Sequence, residues 1–278
     1  MSVKSGAIAQ EEAAYLTGGR EPVVSSVLIS SSKYLNNPLF RDIFAQMGLK
    51  RNGRDLPDAY LVPELNRAFA EVTDHDRVAE LLTAERVRLP EFAAWLDDRF
   101  VSNVQVEELA TYAPGTLGRR VYEFVVQSGF DLDFMFRGMP DSDLTYLNKR
   151  RVQVHDIEHM VTGLDSSPVG EIGLIFANLV ANAKYFETEF AGELNRFNAL
   201  LASTSLMRMA LHYPAVTPAL YEAISIGHRL GDAQTRPFFF MRWEDHYGST
   251  IPEIREELGF QDLPPDNHWQ WTCDAAAG

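Results

Sequence analysis

SDLTYLNKRRVQVHDIEHMVTG, residues 142–163, is the stretch that sets the fold class and carries the most distinctive side chains. Ser142 is a helix-start signal, because its hydroxyl can accept a hydrogen bond from a free amide of the first turn, and Gly163 is a stop signal. We therefore predict one long helix across the stretch. Its period places His155 and His159, which are four residues apart, on the same face.

The histidine pair predicts a metal site. Two imidazoles one helical turn apart can bind a single divalent ion. Asp156, about 100° round the same turn, can ligate the ion or orient an imidazole. Eleven residues separate His159 from Glu171, which can return on a second helix as an oxygen ligand. The predicted ligands of one divalent metal are His155, Asp156, His159 and Glu171.

The same residues allow other interpretations. Either histidine could be a core side chain bonded to a carbonyl group. Glu171 lies in the first turn after Ser167 and Pro168, where the helix dipole favours an acid without any metal. A hydrolase is a further alternative, although the shorter Asp156 replaces the glutamate that acts as general base in the zinc-protease helix.

Composition and charge exclude several classes of function. The chain has 278 residues, of which 46% are hydrophobic, as in an ordinary globular protein. Its formal net charge of −14 argues against nucleic acid as a partner. The single cysteine, Cys273, excludes an intrachain disulfide and favours a reducing, cytoplasmic location. We find no secretory signal, transit peptide or apolar run long enough to span a bilayer.

Helical periodicity dominates the remainder, and only residues 22–30 resemble a strand. Helices are predicted within residues 61–83, 89–100, 119–129, 168–190, 199–212, 218–230 and 242–258. The prediction is an all-α, single-domain bundle of about eight to ten helices, with an apolar groove beside the metal site. We place a mobile N-terminal tail at 1–22, the helical metal-binding domain at 23–262 and a C-terminal tail at 263–278. Trp269 and Trp271 of that last tail could dock on the body.

The chain resembles the coenzyme Q biosynthesis protein 4 family. The family signature, His-Asp-x-x-His followed by eleven residues and Glu, maps without a gap onto the four predicted ligands. Weaker matches agree in order: Pro114 to Gly118 with Tyr122, Gly170, Arg242-Trp243-Glu244, and Ile254 to Gly259. The resemblance covers roughly residues 90–262.

The resemblance implies a metal-dependent oxidative decarboxylase or lyase of ubiquinone synthesis. The family is linked to replacement of the C1 carboxylate of a polyprenylated 4-hydroxybenzoate by a hydroxyl, and Asp156 and Glu171 would be the catalytic groups. Zinc is the expected cofactor, while iron, manganese and cobalt stay open. The implied partners are a prenylated aromatic or quinone-like molecule and a quinone biosynthetic complex. A homodimer and peripheral contact with the inner face of the membrane are also compatible. The alternative is a non-catalytic organiser of that complex that binds prenyl lipid.

Glu158 departs from the family pattern, in which both residues between the aspartate and the second histidine are usually apolar. A carboxylate facing solvent would change nothing, whereas one facing the site would repel an anionic ring. The chain would then be a specialised paralogue that acts on another prenylated or quinone-like molecule. A groove for the prenyl tail is expected between the predicted helices 168–190 and 199–212. The predicted substrate contacts are Glu158, Ile175, Asn178, Leu179 and Asn182.

Overall fold

The computed structural model describes residues 30, 32–49, 62–129 and 138–277, and the all-α prediction is confirmed there. The α-helices are α1 (Lys33–Asn36), α2 (Pro38–Leu49), α3 (Val62–Val72), α4 (His75–Arg88), α5 (Pro90–Asp98), α6 (Val106–Leu109), α7 (Leu117–Ser128), α8 (Asp143–Thr162), α9 (Pro168–Tyr185), α10 (Thr188–His212), α11 (Thr217–Ala233), α12 (Ile251–Glu257) and α13 (Trp271–Ala277). Short 3₁₀ turns occupy Pro214–Val216, Phe238–Phe240 and Trp243–His246. The described residues contain no strand. The predicted tail 1–22, and the strand at 22–30 apart from its last residue, lie outside them.

Helix α8 begins and ends as the sequence predicts. The Ser142 hydroxyl accepts a hydrogen bond from the Thr145 N–H, and the Thr145 hydroxyl accepts one from the Ser142 N–H, which is a capping box. At the other end Gly163 has a φ of 73°, in the left-handed region that favours glycine. A Cβ there would also lie 2.7 Å from the carbonyl oxygen of Pro264, so both the turn and the packing require glycine.

The predicted helix 168–190 is in fact two helices, α9 and α10, and the prediction of one continuous helix was wrong. Phe186 has an extended backbone between them, with φ −98° and ψ 158°. The N–H of the next residue, Glu187, donates to the Glu85 carboxylate of α4 at 2.9 Å. Phe186 and Phe190 are both buried, so the apolar stripe continues across the break. The spacing of apolar residues therefore gives no sign that the helix ends there.

Helix α9 is held rigidly against α11 by small residues. A Cβ at Gly227 would lie 2.0 Å from the backbone oxygen of Gly173, and one at Gly231 would lie 2.3 Å from the oxygen of Ala177. The two backbones are therefore closer than any larger side chain would permit. Because α9 carries Glu171, this contact fixes one wall of the predicted metal site.

The two ends of the described chain pack on this framework. Helices α1 to α3 form a separate apolar cluster against α10, in which Phe69 contacts Phe197 at a ring distance of 5.7 Å. At the C-terminus, where a tail was predicted, Trp269 is 1% exposed and belongs to the main core. None of the described helices is both long and apolar enough to cross a bilayer.

Candidate metal centre

Three of the four predicted ligands converge on one point. His155 Nε2 and His159 Nε2 lie 3.2 Å apart. Glu171 Oε2 lies 3.3 Å from the first nitrogen and 3.0 Å from the second. Within the described part of the chain these residues form the one group of three or more His, Cys, Asp or Glu side chains with ligand atoms inside 4.8 Å of one another.

The donor set fits a divalent metal ion. An ion bound at about 2.0–2.2 Å from nitrogen and oxygen ligands separates neighbouring donors by about 2.8–3.6 Å across octahedral and tetrahedral geometry. The three observed separations lie inside that interval. Two imidazoles and one carboxylate leave further coordination positions open, as in catalytic metal sites and in the non-haem iron triad.

Backbone contacts fix the orientation of His159. Its Nδ1 makes a short hydrogen bond to the carbonyl oxygen of Leu164, in the loop between α8 and α9. A carbonyl oxygen can only accept, so Nδ1 is the donor of this bond and Nε2 is the nitrogen that faces Glu171 and His155. This arrangement is typical of metal-ligating histidines, whose second nitrogen is held by a carbonyl or a carboxylate.

Glu171 is positioned by the start of α9. The Ser167 hydroxyl accepts a hydrogen bond from the Gly170 N–H at 3.0 Å, with Pro168 in the first turn, as the sequence predicts. A Cβ at Gly170 would lie 2.0 Å from the backbone oxygen of Asp165, so the loop folds directly against the helix. The helix dipole also stabilises a glutamate carboxylate in the first turn. The start of a helix and a metal site therefore both favour glutamate at position 171.

The three groups interact electrostatically. Burial lowers the pKa of His155, but the Glu171 carboxylate outweighs burial and raises that pKa to about 9. Burial raises the pKa of Glu171, yet both histidines outweigh it and hold that pKa well below its ordinary value. Glu171 thus favours a positive charge at His155, the kind of charge that a bound ion would provide.

Asp156, predicted as a fourth ligand, does not belong to the convergent group. Its side chain is half-buried on the adjacent face of α8 and lines two cavities, of which one is also lined by His159. The Asp156 carboxylate still contributes to the raised pKa of His155. Its role as a ligand or catalytic group stays a prediction.

Glu158 is buried, with 2% of its surface exposed. Its Oε2 accepts a hydrogen bond from Asn178 Nδ2 on α9 at 2.9 Å. Burial raises the pKa of Glu158 to about 7, although Asn178 and both histidines oppose that shift. The residue that departs from the family pattern therefore points between α8 and α9 and away from solvent.

The other predicted substrate contacts lie along α9. Ile175 is buried in the main core, and Leu179 packs against it. Asn182 Nδ2 donates to Asn195 Oδ1 on α10 at 2.9 Å, and its own Oδ1 is buried without a hydrogen-bond partner. The contact of these residues with a substrate stays a prediction.

Two adjoining cavities lie beside Asp156. The more apolar cavity, of about 510 Å³, is lined by six valines with Phe124 and Met160, and also by polar side chains that include Lys149, Gln153 and Glu244. The polar cavity, of about 670 Å³, reaches His159 and residues 266–270. Phe124, Asp156 and Met160 line both. Ile175, Asn178, Leu179 and Asn182 line neither, so the groove predicted between α9 and α10 is a different location.

Several site features escaped the sequence analysis. The Leu164 carbonyl that orients His159 has no sequence signal, because a backbone oxygen exists at every residue. Arg120 and Phe124 of α7 line the polar cavity although they are distant in sequence from the histidines. Residues 266–270 had one sequence signal, Trp269, which we expected to be able to dock on the body of the protein.

Comparisons with known proteins agree with this geometry. A sequence model of the family described as "Coenzyme Q (ubiquinone) biosynthesis protein Coq4" matches residues 99–264. The chain is 24% identical over 172 residues to "Ubiquinone biosynthesis protein COQ4, mitochondrial" of Laccaria bicolor, covering 60% of this chain and 52% of the relative. It is 26% identical over 187 residues to "Ubiquinone biosynthesis protein COQ4 homolog, mitochondrial" of Rattus norvegicus, covering 65% and 64%. The chain thus spans less than two thirds of either relative.

A solved structure shares the fold. The crystal structure of a protein from Nostoc punctiforme superposes with a TM-score of 0.59 and covers 80% of this chain and 97% of that chain. The two sequences are 24% identical. At this identity the likeness concerns the arrangement of helices.

Proposed function

The chain belongs to the Coq4 family of coenzyme Q (ubiquinone) biosynthesis proteins, and from this membership we propose that it acts in ubiquinone biosynthesis as a metal-dependent enzyme. Its substrate is a polyprenylated 4-hydroxybenzoate-type ring, from which the C1 carboxylate leaves as carbon dioxide and is replaced by a hydroxyl. The observation that carries the proposal is the convergence of His155, His159 and Glu171 beside an apolar and a polar cavity that adjoin.

The described residues supply ligation, orientation and proton transfer for this reaction. When bound, a divalent metal polarises a phenolate or carboxylate oxygen. Zinc is the expected ion, and iron, manganese and cobalt suit the same three donors. The replacement of carboxylate by hydroxyl is a two-electron oxidation: the bond from C1 to the carboxylate would break to release carbon dioxide, water would supply the hydroxyl oxygen, and dioxygen would accept the two electrons and leave as hydrogen peroxide. In this proposal Asp156, which lines both cavities, accepts the phenol proton, and the Leu164 carbonyl keeps His159 oriented.

The shape of the site suits an amphiphilic molecule. In this proposal the ring lies in the polar cavity at His159, where Arg120 and a bound ion would offset the acidic lining that faces the ring carboxylate, and the first part of the prenyl tail lies in the apolar cavity. Burial of each methylene contributes about 0.8 kcal/mol. Phe124 and Met160, which line both cavities, would contact the junction of ring and tail. An apolar substrate of this kind also supports peripheral contact with a membrane and with other proteins of a quinone biosynthetic complex.

The test is turnover by purified, metal-loaded protein. Prenylated 4-hydroxybenzoate labelled in the carboxylate carbon is incubated under dioxygen, and labelled carbon dioxide and the hydroxylated ring are quantified. We expect both products from the parent and from His228→Ala, an exposed histidine outside the group, and neither from Glu171→Gln. Release of label without metal would refute the metal-dependent mechanism.

The alternative is a non-catalytic organiser that binds prenyl lipid, and the apolar cavity supports it equally well. The same preparation separates the two functions. A parent protein that holds metal and binds the prenylated ring but forms no product, with and without dioxygen, would favour the organiser. The substrate of a specialised paralogue would instead appear as turnover of a different prenylated ring.

A further inference from the structure

The carbonyl group that orients His159 belongs to a short loop and not to a helix. Helix α8 ends at Thr162 and α9 begins at Pro168, and the Leu164 oxygen between them accepts the hydrogen bond from His159 Nδ1. The Leu164 N–H donates to the Thr162 hydroxyl at 3.3 Å. A displacement of this loop would therefore move the imidazole whose Nε2 faces Glu171.

Asp165, which follows Leu164, holds the loop with both oxygens of a buried carboxylate. Its Oδ1 accepts a hydrogen bond from the N–H of Ser167, the residue that caps α9, at 3.1 Å. Its Oδ2 accepts one from the backbone N–H of Trp269 at 2.9 Å, although the two residues are 104 positions apart in sequence. One carboxylate thus joins the loop to the start of the helix that carries Glu171 and to the C-terminal part of the chain.

The C-terminal partner of Asp165 is itself held in place. Residues 265–272, here called the C-terminal segment, follow residue 264, where the match to the family model ends. Within this segment Trp269 is 1% exposed, and its indole N–H donates to Glu222 Oε2 of α11 at 3.2 Å. Asp266 Oδ2 lies 2.9 Å from Arg120 Nη2 of α7. The Trp269 N–H is therefore a fixed donor, and the contact it makes lies outside the family match.

The environment of Asp165 requires both hydrogen bonds. Among the described residues the Asp165 carboxylate forms no ion pair, and a buried charge is costly unless it is paired or accepts hydrogen bonds. A Cβ at Gly170 would lie 2.5 Å from Asp165 Oδ1, so the start of α9 leaves space for this carboxylate. An amide at position 165 has a single acceptor oxygen and can accept from only one of the two N–H groups.

We propose that Asp165 is a positioning residue of the metal centre. By joining the loop to the C-terminal segment, it keeps His159 Nε2 directed at the point that it shares with His155 and Glu171. The orientation of one metal ligand in this chain then depends on residues outside the family match. The inference rests on the proposed function for the metal itself, whereas the effect of Asp165 on the His159 ring can also be measured without metal.

Cobalt(II) binding tests the effect on the metal centre. Visible absorption reports the coordination geometry of cobalt, and competition with a chromophoric chelator reports its affinity. We expect Asp165→Asn to bind cobalt more than about tenfold more weakly than the parent, with altered absorption bands. Asp165→Ser, whose hydroxyl can still accept from the Ser167 N–H but is too short to reach Trp269, should show the same change. Parent-like affinity and absorption in both variants would overturn the proposal.

Glu85→Gln is the matched control. Glu85 is likewise buried, and its carboxylate accepts the Glu187 N–H at 2.9 Å beyond the opposite end of α9. The change also exchanges a buried carboxylate for an amide, so a loss caused only by reduced stability would appear in this variant as well. We expect Glu85→Gln to retain the cobalt affinity and absorption of the parent, with circular dichroism verifying that each variant is folded. An equal loss in Glu85→Gln would overturn a specific role for Asp165.

The metal-free protein gives a readout that is independent of the proposed function. Nitrogen-15 labelling of histidine allows the Nδ1 proton of His159 to be followed by NMR. We expect this proton to exchange with solvent about tenfold faster in Asp165→Asn than in the parent or Glu85→Gln, because the loop opens more often. Unchanged exchange in both Asp165 variants would overturn the positioning role. A parent that binds no cobalt but shows faster exchange in Asp165→Asn would support that role and refute the metal-dependent function.

Discussion

Asn178 on α9 donates a hydrogen bond to Glu158 on α8 at 2.9 Å, and this contact joins the two helices that bear the convergent donors His155, His159 and Glu171. Glu158 immediately precedes His159 in sequence, and Asn178 lies two helical turns beyond Glu171. Neither Glu158 nor Asn178 lines the two cavities. The residue that departs from the family pattern therefore contacts another helix of the protein and not the cavity space.

Replacement of Glu158 should reveal that structural role. In Glu158→Leu the half-buried Asn178 amide loses its closer acceptor and keeps only the Leu174 carbonyl oxygen at 3.4 Å, so we expect a loss of about 1 kcal/mol in the free energy of unfolding. Glu158→Gln retains an acceptor oxygen and should lose much less. Urea denaturation of the metal-free proteins measures both. Equal stability of Glu158→Leu and the parent would contradict a structural role for this hydrogen bond.

Loss of any convergent donor should abolish tight metal binding. We expect His155→Ala, His159→Ala and Glu171→Gln each to lower zinc affinity by more than about a hundredfold, since an open site retains only two donors. His228→Ala should bind like the parent. Elemental analysis after dialysis and competition with a chromophoric chelator provide the measurement. Asp156→Asn tests whether Asp156 is a ligand. A loss of zinc affinity as large as that of Glu171→Gln would make Asp156 a ligand.

Metal binding should depend on pH through His155, whose pKa is raised to about 9 in the metal-free protein. A bound ion must displace that proton, so affinity should fall by about tenfold per pH unit as pH decreases below this value. Calorimetry in buffers of different ionisation enthalpy should show about one proton released per ion near neutral pH. His155→Ala removes both the proton and the ligand, so proton release should vanish with binding.

The raised pKa of His155 also predicts how the stability of the metal-free protein depends on pH. The folded state binds the His155 proton more tightly than an unfolded histidine with its ordinary pKa of 6.5. The stabilising contribution is therefore complete below that pH and is lost as pH rises through about 9. Thermal unfolding of the parent and of His155→Ala in the presence of a chelator, measured between pH 6.5 and about 9, tests this contribution. The same dependence of stability on pH in both proteins would contradict a contribution from His155.

Gly170 should be required for the position of Glu171. Gly170→Ala forces a Cβ to within 2.0 Å of the Asp165 backbone oxygen, so the first turn of α9 must shift. We expect a loss of about 1–3 kcal/mol in stability together with weaker metal binding. Gly192→Ala is the control, because its Cβ would meet nothing within 4 Å in the middle of α10. That change should stabilise the protein by about 0.4–1 kcal/mol.

Two locations for the prenyl tail can be separated by substitution. Met160→Trp fills the junction of the apolar and polar cavities and should lower binding of a geranylated ring about tenfold, with the metal retained. Leu179→Glu tests the groove predicted between α9 and α10. Lipid recovered by mass spectrometry from each variant is the readout. Loss of lipid in Leu179→Glu alone would place the tail between those helices.

Local signals determined the framework. The histidine helix α8 begins after the capping serine at residue 142 and ends at Gly163. The next helix, α9, begins at Ser167 and Pro168. Helical spacing places His155 above His159. Each signal acts within about one helical turn, through caps, backbone conformation and side-chain direction. The sequence by itself therefore determined the all-α class and the position of His155 above His159, and it named Glu171 as their partner, but it also named Asp156, which lies outside the convergent group.

Tertiary structure decided the rest, because long-range contacts overrode local patterns. The apolar stripe runs through Phe186 without interruption, yet the helix breaks there where the neighbouring Glu187 N–H meets Glu85, which is 102 residues away in sequence. The burial of Glu158 depends on Asn178 of another helix. The wall of the polar cavity likewise depends on Asp266 reaching Arg120, 146 residues earlier. Such partners are chosen by the packing of whole helices, for which no short stretch of sequence carries a signal.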